Sequence, residues 1–310
     1  MSLSENSRGA LVMALAMALF TCNDALVKQV AGELNIAQIM AVRGIMTTLL
    51  VYAITRQMKI RLTLRTLTDR LVVLRAFCEL GATVSFFTAL QRLDFSVAGS
   101  INQALPLAVT LGAAVFFGES VGWRRWAAIV VGLAGVLLII RPGAEGFNPD
   151  AIYAVIALMF TTARDLTTRR INPAIPTLEI TLLTAFANTM LGIVLIVPMG
   201  GWQPISGSTF GILVVTAFLV FGGYQTVIMA MRSGEVSFVA PFRYTSLIWQ
   251  LTIAIFFFGE HPSATMLAGA VIVICSGLYT FYRENKRKQA NAVSAETAPP
   301  GAIQTQETGQ

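Results

Sequence analysis

Phe116-Phe117-Gly118-Glu119 stands 141 residues ahead of Phe257-Phe258-Gly259-Glu260. The same offset carries Asp24 to Asp165, Lys28 to Arg169, Gly81 to Gly222, Ala89 to Ala230 and Ser96 to Ser237, with no gap from the first pair to the last. An offset held that far makes the chain two copies of one unit. The unit is not a solenoid repeat, because nearly everything between the matched residues is long apolar run.

Apolar residues make up 55% of the 310 residues and charged residues 12%, about half the charged share of a soluble domain. That composition is expected of an integral membrane protein. The net charge of +6 does not imply a nucleic-acid partner, because the basic residues lie mostly between apolar runs. Cys22, Cys78 and Cys275 sit far apart inside such runs as packing residues. His261 is the only histidine, so neither a His-based metal site nor a His-centred triad is expected. No Walker A, HExxH or Gly-x-Ser-x-Gly element occurs, and neither an enzyme nor a cofactor-dependent protein is expected. Arg8 followed by Ala14-Leu15-Ala16 imitates a cleaved signal peptide, but the run continues to about Val30 and has a counterpart at 150–171. It reads as a retained helix.

A hydrocarbon core of about 30 Å needs roughly 20 apolar residues at about 1.5 Å each. Ten spans of that kind fall near 9–30, 36–55, 71–90, 96–117, 121–140, 150–171, 178–198, 209–231, 236–257 and 262–282. With the N-terminus inside, cytoplasmic segments hold Arg8, Arg56, Lys59, Arg61, Arg65, Arg70, Arg124, Arg125, Arg169, Arg170, Arg232, Arg283, Lys286, Arg287 and Lys288, against Arg92 and Arg141 outside. Both termini are therefore expected in the cytoplasm. Five spans per copy is an odd number, so the second copy enters the membrane from the opposite side. The expected fold is an all-α membrane protein of ten transmembrane helices as two inverted five-helix repeats, 9–140 and 150–282. A short N-terminal segment, 1–8, precedes them, and a polar, disordered tail, 283–310, follows. Inverted repeats are typical of secondary transporters with a midplane site between the copies.

Ten spans, the paired Gly118-Glu119 and Gly259-Glu260 turns, and the segment Val239-Ala240-Pro241-Phe242-Arg243-Tyr244 resemble the drug/metabolite transporter superfamily, specifically its EamA-domain carriers. The resemblance covers about residues 8–283, and its last segment looks like a bacterial subgroup that includes S-adenosylmethionine and riboflavin uptake carriers. It implies a multi-pass protein of a bacterial inner membrane that moves a small organic metabolite by alternating access. It also implies that spans 1, 3, 4, 6, 8 and 9 line a central cavity and that spans 5 and 10 lie outside it. A vitamin-like or nucleoside-like substrate such as riboflavin is expected. The alternatives are an amino-acid or S-adenosylmethionine carrier, a metabolite exporter, or a receptor or structural protein without transport. The inverted repeat favours transport over a receptor.

Ionisable residues within spans are expensive and usually functional. Asp24 with Lys28, Arg75 with Glu79 and Asp165 with Arg169 are spaced i to i+4, which places each pair on one helix face and predicts self-neutralisation. Arg43 and Arg243 have no such neighbour. Arg43 lies seven residues into span 2, level with Asp24 across the span 1–span 2 hairpin, so an Asp24–Arg43 pair is expected about 10 Å below the outer surface. Arg243 is expected at the inner level with Arg75, Glu79, Arg164 and Asp165. Asp24, Lys28 and Arg43 form an expected outer group, and Arg75, Glu79, Arg164, Asp165, Arg169 and Arg243 an inner one. Each group reads equally well as a gate or as a set of static bridges.

Between these levels stand candidates for contact with an organic ligand: Phe86, Phe87, Asn102, Gln103, Tyr224, Gln225, Tyr244, Trp249 and Gln250, with Arg243 as a charged contact. Pro106 and Pro241 each remove a backbone hydrogen bond and predict kinks. They are not equivalent under the offset, so the kinks are expected to break the symmetry. Gly132, Gly135, Gly269 and Gly277 permit close backbone approach, read first as internal packing and otherwise as a homodimer surface. The partners expected are a small-molecule substrate and membrane lipid.

Overall fold

Two helices begin where a polar side chain caps an apolar run, and two left-handed glycines follow the ends of others. Asn35 accepts from Gln38 N at 2.8 Å and starts the second helix. Asp69 accepts from Leu71 N and Val72 N and starts the third. Gly118 and Gly259 both turn the chain at φ 64°, a conformation in which a Cβ is strained. Their turns close alike: Glu119 N donates to Ala113 O and Glu260 N to Ala254 O, acceptors that are themselves 141 residues apart.

The computed structural model describes residues 5–60, 63, 66, 68–119, 121–142, 148–233 and 235–296. Among these, every regular element is helical. The elements are α1 (Glu5–Val30), α2 (Ile36–Gln57), α3 (Arg70–Arg92), α4a (Phe95–Asn102), α4b (Leu105–Phe117), α5 (Trp123–Ile140), α6 (Ala151–Thr168), α7 (Thr177–Leu195) and α8 (Gly207–Ser233). The chain continues through α9a (Val236–Val239), a 3-10 turn (Ala240–Tyr244), α9b (Thr245–Phe256) and α10 (Ala264–Glu296). Eight stretches are long and apolar enough to cross a membrane, with α4a and α4b together forming one of them. The other two expected spans are α6, which carries Arg164, Asp165 and four threonines, and the interrupted α9. The tail expected to be disordered from 283 is instead helical to Glu296. Residues 297–310 lie outside the described residues, as do Arg61 and Arg65 from the charge argument.

The helices pair mainly between the two copies. The most extensive packing joins α1 with α8, α3 with α6, α2 with α7 and α5 with α10. The offset turns the first of these pairs into the second and maps each of the other two onto itself. Thr48 and Thr189, 141 residues apart, meet hydroxyl to hydroxyl at 3.2 Å. Small residues allow this closeness, as expected where lipid removes the hydrophobic drive between helices. A Cβ on Gly192 would lie 2.6 Å from Ala41 N, and one on Gly135 would lie 2.9 Å from Gly269 O. Gly132, Gly135, Gly269 and Gly277 are therefore used within the chain.

Connections gather at two ends. At one, Asn35 donates to Gly201 O, Gln38 exchanges hydrogen bonds with Gln203, Gln91 donates to Ala31 O, and Thr209 donates to Glu33. At the other, Glu179 accepts from Thr63 N, Arg169 meets Glu119, and Arg125 meets Glu284 at 3.2 Å. We call these the Glu33 end and the Arg169 end. One large core cluster fills the Glu33 end, including Val30, Ile36, Ile39, Leu90, Leu93, Phe95 and Ile101. Toward the Arg169 end the core divides into three small groups around Met13, Val72 and Val109. Equivalent residues differ accordingly: Ala31 is 2% exposed while Asn172 is exposed, and Ile36 is 2% exposed while Thr177 is exposed.

Both α4 and α9 are broken near their middles. The break after α4a falls at Gln103 and Ala104, and the 3-10 turn in α9 ends at Tyr244, next to Thr245. These positions correspond under the offset. The expectation that Pro106 and Pro241 break the symmetry is thus corrected. Pro106 follows its break and Pro241 lies inside the 3-10 turn, yet the two interruptions share the equivalent positions Gln103 and Tyr244. Gln103 Nε2 donates to Ser246 Oγ at 2.5 Å and ties the two breaks together.

Candidate functional site

None of the three expected i to i+4 ion pairs forms. Lys28 turns away from Asp24 and donates to Leu90 O and Leu93 O at the end of α3. Unsatisfied carbonyls and the negative end of the helix dipole favour an ammonium there. Arg75 donates to Thr168 Oγ1 at 3.1 Å and Thr184 Oγ1 at 2.8 Å rather than to Glu79. Arg169 lies 3.7 Å from Glu119 rather than on Asp165, with side chains 53% and 49% exposed. Long side chains reach neighbouring helices as easily as their own, and cross-helix partners win where packing brings them close.

Arg164 holds the interior ion network. Its guanidinium takes Glu79 on α3 at 3.0 Å and Asp165 at 2.8 Å. Asn23 occupies the equivalent place in the first copy and clasps its neighbour in the same way, Nδ2 donating to Asp24 Oδ1 at 2.9 Å. The local arrangement is retained, but an amide replaces the guanidinium. Asp24 therefore has no ion pair among the described residues. Arg43 lies within electrostatic reach of Asp24 but beyond the 4.0 Å of an ion pair, so the expected direct Asp24–Arg43 bridge is corrected. The Arg43 guanidinium stacks over Phe87 at 5.3 Å, and its Nη1 is buried without a hydrogen-bond partner.

Tyr224 stands where charged side chains of several helices converge. Its side chain is within electrostatic reach of Glu79, Arg164, Arg75 and Arg43 on three other helices, yet the residue is 50% exposed. Charged groups inside a span are tolerated where they face the bundle interior or a water-filled cavity. The edge of Phe20 meets the Tyr224 ring at 5.2 Å and completes an aromatic wall. Arg243 is exposed, near Asp165 and Arg164, and in no ion pair among the described residues.

The other expected ligand contacts divide. Asn102 is exposed at the α4 break, Trp249 is 41% exposed, and Gln225 and Phe86 are partly buried. Phe87 is buried beneath Arg43, and Gln103 is engaged by Ser246. Gln250 is buried, donates to Phe95 O at 3.0 Å and fills the space above Gly99. Tyr244 is buried against Gly277. Both were expected in the lining and instead serve packing between helices.

Glu260 was legible only as a turn residue, and it caps α4a from outside. Its carboxylate accepts from Phe95 N, from Ser96 N at 2.9 Å and from Ser96 Oγ at 2.7 Å, while Asp94 at the cap position makes no side-chain cap bond. Lys28 sits 5.6 Å from the Phe258 ring and within reach of the Glu260 charge. The equivalents of Lys28 and Glu260 are Arg169 and Glu119.

Two helical copies packed face to face around interior charges, with eight stretches long and apolar enough to cross a membrane, have the build of a multi-pass membrane transporter. The chain belongs to the EamA-like transporter family, whose pattern is matched twice, by residues 7–141 and 149–282. It is 27% identical over 229 residues to an S-adenosylmethionine uptake transporter of Rickettsia conorii, covering 72% of this chain and 76% of that one. It is 25% identical over 189 residues to a riboflavin transporter of Rhizobium johnstonii, covering 60% and 62%. It is 25% identical over 273 residues to a pseudopaline exporter of Pseudomonas aeruginosa, covering 86% and 93%. A solved crystal structure superposes with a TM-score of 0.63 at 19% identity, covering 91% of this chain and 98% of that one, which speaks to the fold alone. The chain is a metabolite transporter and not an enzyme.

Proposed function

We propose that the chain is a secondary carrier of ten spans in two inverted five-helix repeats, which moves a small organic metabolite by alternating access through the cavity beside Tyr224. It sits in a bacterial inner membrane with both termini and the basic Arg169 end in the cytoplasm. The conformation described is then inward-facing. The observation that carries this reading is the unequal fate of equivalent residues: Lys28 and Glu260 each bond to backbone at the Glu33 end, while Arg169 and Glu119 are half exposed at the other. A molecule with two interchangeable halves occupies one of two mirrored states, and substrate shifts the balance.

A flat, partly polar heterocycle suits the Phe20–Tyr224 wall. A vitamin-like or nucleoside-like metabolite such as riboflavin is the reading from the aromatic lining, and relatives of this family carry riboflavin or S-adenosylmethionine in their names. An amino-acid-bearing substrate is the second reading, favoured by the separated Asp24 and Arg43 charges. Counterflow in proteoliposomes tests the carrier. Labelled riboflavin, S-adenosylmethionine and amino acids are each offered to vesicles preloaded with the unlabelled compound. Transient accumulation of one of them is expected, and leakage-level signals for all would refute the proposal.

A further inference from the structure

We infer that Asp24 and Arg43 are the two halves of a site for a zwitterionic α-amino-acid headgroup, the ammonium on the Asp24 carboxylate and the carboxylate on the Arg43 guanidinium. The inference rests on the carrier reading and names the substrate chemistry of the same cavity.

The two copies carry the argument through what they do not share. In the second copy the aspartate's preceding neighbour is Arg164, which neutralises Asp165 at 2.8 Å and Glu79 at 3.0 Å. The position equivalent to Arg43 is Thr184, which accepts from Arg75. Arg164, Asp165, Glu79 and Arg75 are thus all engaged by protein groups at these positions. In the first copy the neighbour is Asn23, which supplies a hydrogen bond to Asp24 but no charge. Among the described residues Arg43 joins no ion pair; the Phe87 ring lies beneath it and its Nη1 has no acceptor. One acid and one guanidinium thus stand near each other, on α1 and α2, without closing on each other.

Two opposite charges held apart in a low-dielectric interior keep their desolvation cost and forgo their contact. A ligand that brings one ammonium and one carboxylate satisfies both with charge-assisted hydrogen bonds. An amine alone or an acid alone leaves one partner unpaired, which is what gives such a site its selectivity. A zwitterion also adds no net charge to the interior.

Position agrees with chemistry. Asp24 and Arg43 are both partly accessible, and the packed cluster of Val27, Val30, Ile39 and Leu90 lies beside them toward the Glu33 end. On the carrier reading they face a cavity entered from the Arg169 end. Tyr224, within reach of Arg43, offers its half-exposed ring to whatever flat group the headgroup carries.

The test is binding to the purified full chain in lipid nanodiscs, using two matched sets. One is S-adenosyl-L-homocysteine against 5′-methylthioadenosine. The other is L-tryptophan against tryptamine and indole-3-propionate. The wild type is expected to bind the headgroup-bearing member of at least one set about tenfold or more tightly than its partners. Asp24→Asn and Arg43→Gln, with elution and melting unchanged, are expected to lose that preference. Equal binding of members lacking the headgroup, or variants that keep the preference, overturns the inference. So does a result in which Asp24→Asn binds normally but transports nothing, because the acid then carries a proton instead. Flux in proteoliposomes separates the two levels. If riboflavin is transported equally by wild type and both variants, the headgroup site falls and the carrier stands. If no compound moves but the binding preference is present, the carrier falls and the site stands.

Discussion

Replacing Glu260 with alanine should loosen the Glu33 end by a calculable amount. The carboxylate accepts three hydrogen bonds at the start of α4a, from Phe95 N, Ser96 N and Ser96 Oγ. Asp94 does not supply a substitute. Such bonds contribute about 0.5–1.5 kcal/mol each, and loss of a helix cap costs up to about 2 kcal/mol. A loss of about 2 kcal/mol in local stability follows, which multiplies the open population roughly 30-fold at RT of about 0.59 kcal/mol. Hydrogen exchange of the peptide spanning 90–101 in nanodiscs should accelerate by about that factor in Glu260→Ala. Glu119→Ala, which removes only a half-exposed contact at 3.7 Å, should alter exchange around α9a by less than about threefold, since exposed pairs contribute about 0–1 kcal/mol. Unchanged exchange at 90–101 in Glu260→Ala, or equal effects from both variants, would refute the assignment of Glu260 as the lock.

Arg164→Ala should lower stability by about 3–5 kcal/mol, because Glu79 and Asp165 are left as uncompensated charges. Adding Glu79→Gln should recover part of that loss, and melting in detergent checks both. Gly192→Ala should cost about 1–3 kcal/mol, since the new methyl meets the backbone of Ala41 and Ala37 at 2.6 Å and 2.9 Å; a melting temperature equal to the wild type would contradict the α2–α7 packing. Arg243→Gln should leave melting unchanged, because the side chain is exposed and joins no ion pair among the described residues. The same variant should weaken binding of anionic substrates, read in the matched ligand sets.

The helical, two-copy organisation was legible because repetition is a property of the letters themselves. Phe116-Phe117-Gly118-Glu119 and its copy mark turns with the same φ and the same closing hydrogen bond. The inner charge group was legible as a group, since Glu79, Arg164 and Asp165 do meet. Its pairing was not, because spacing on one helix says nothing about which neighbouring helix lies within reach of a long side chain. Lys28 found two carbonyls, and Arg75 two hydroxyls. Gln250 and Tyr244 were misplaced for related reasons: the Gln250 amide finds its partner in Phe95 O, and the Tyr244 ring fills the space left by Gly277. Asn23 could have been found by carrying the 141-residue offset back from Arg164.

Two equivalent positions offer the most direct test of alternation between mirrored states. Ala31 is buried at the Glu33 end and Asn172, 141 residues on, is exposed at the Arg169 end. In a background lacking native cysteines, Ala31→Cys should resist a membrane-impermeant maleimide and Asn172→Cys should react when each is approached from its own side. Adding a transported substrate, or introducing Glu260→Ala, should speed labelling at the first and slow it at the second. Changes in the same direction at both positions, or a substrate that is transported without altering either, would contradict the account.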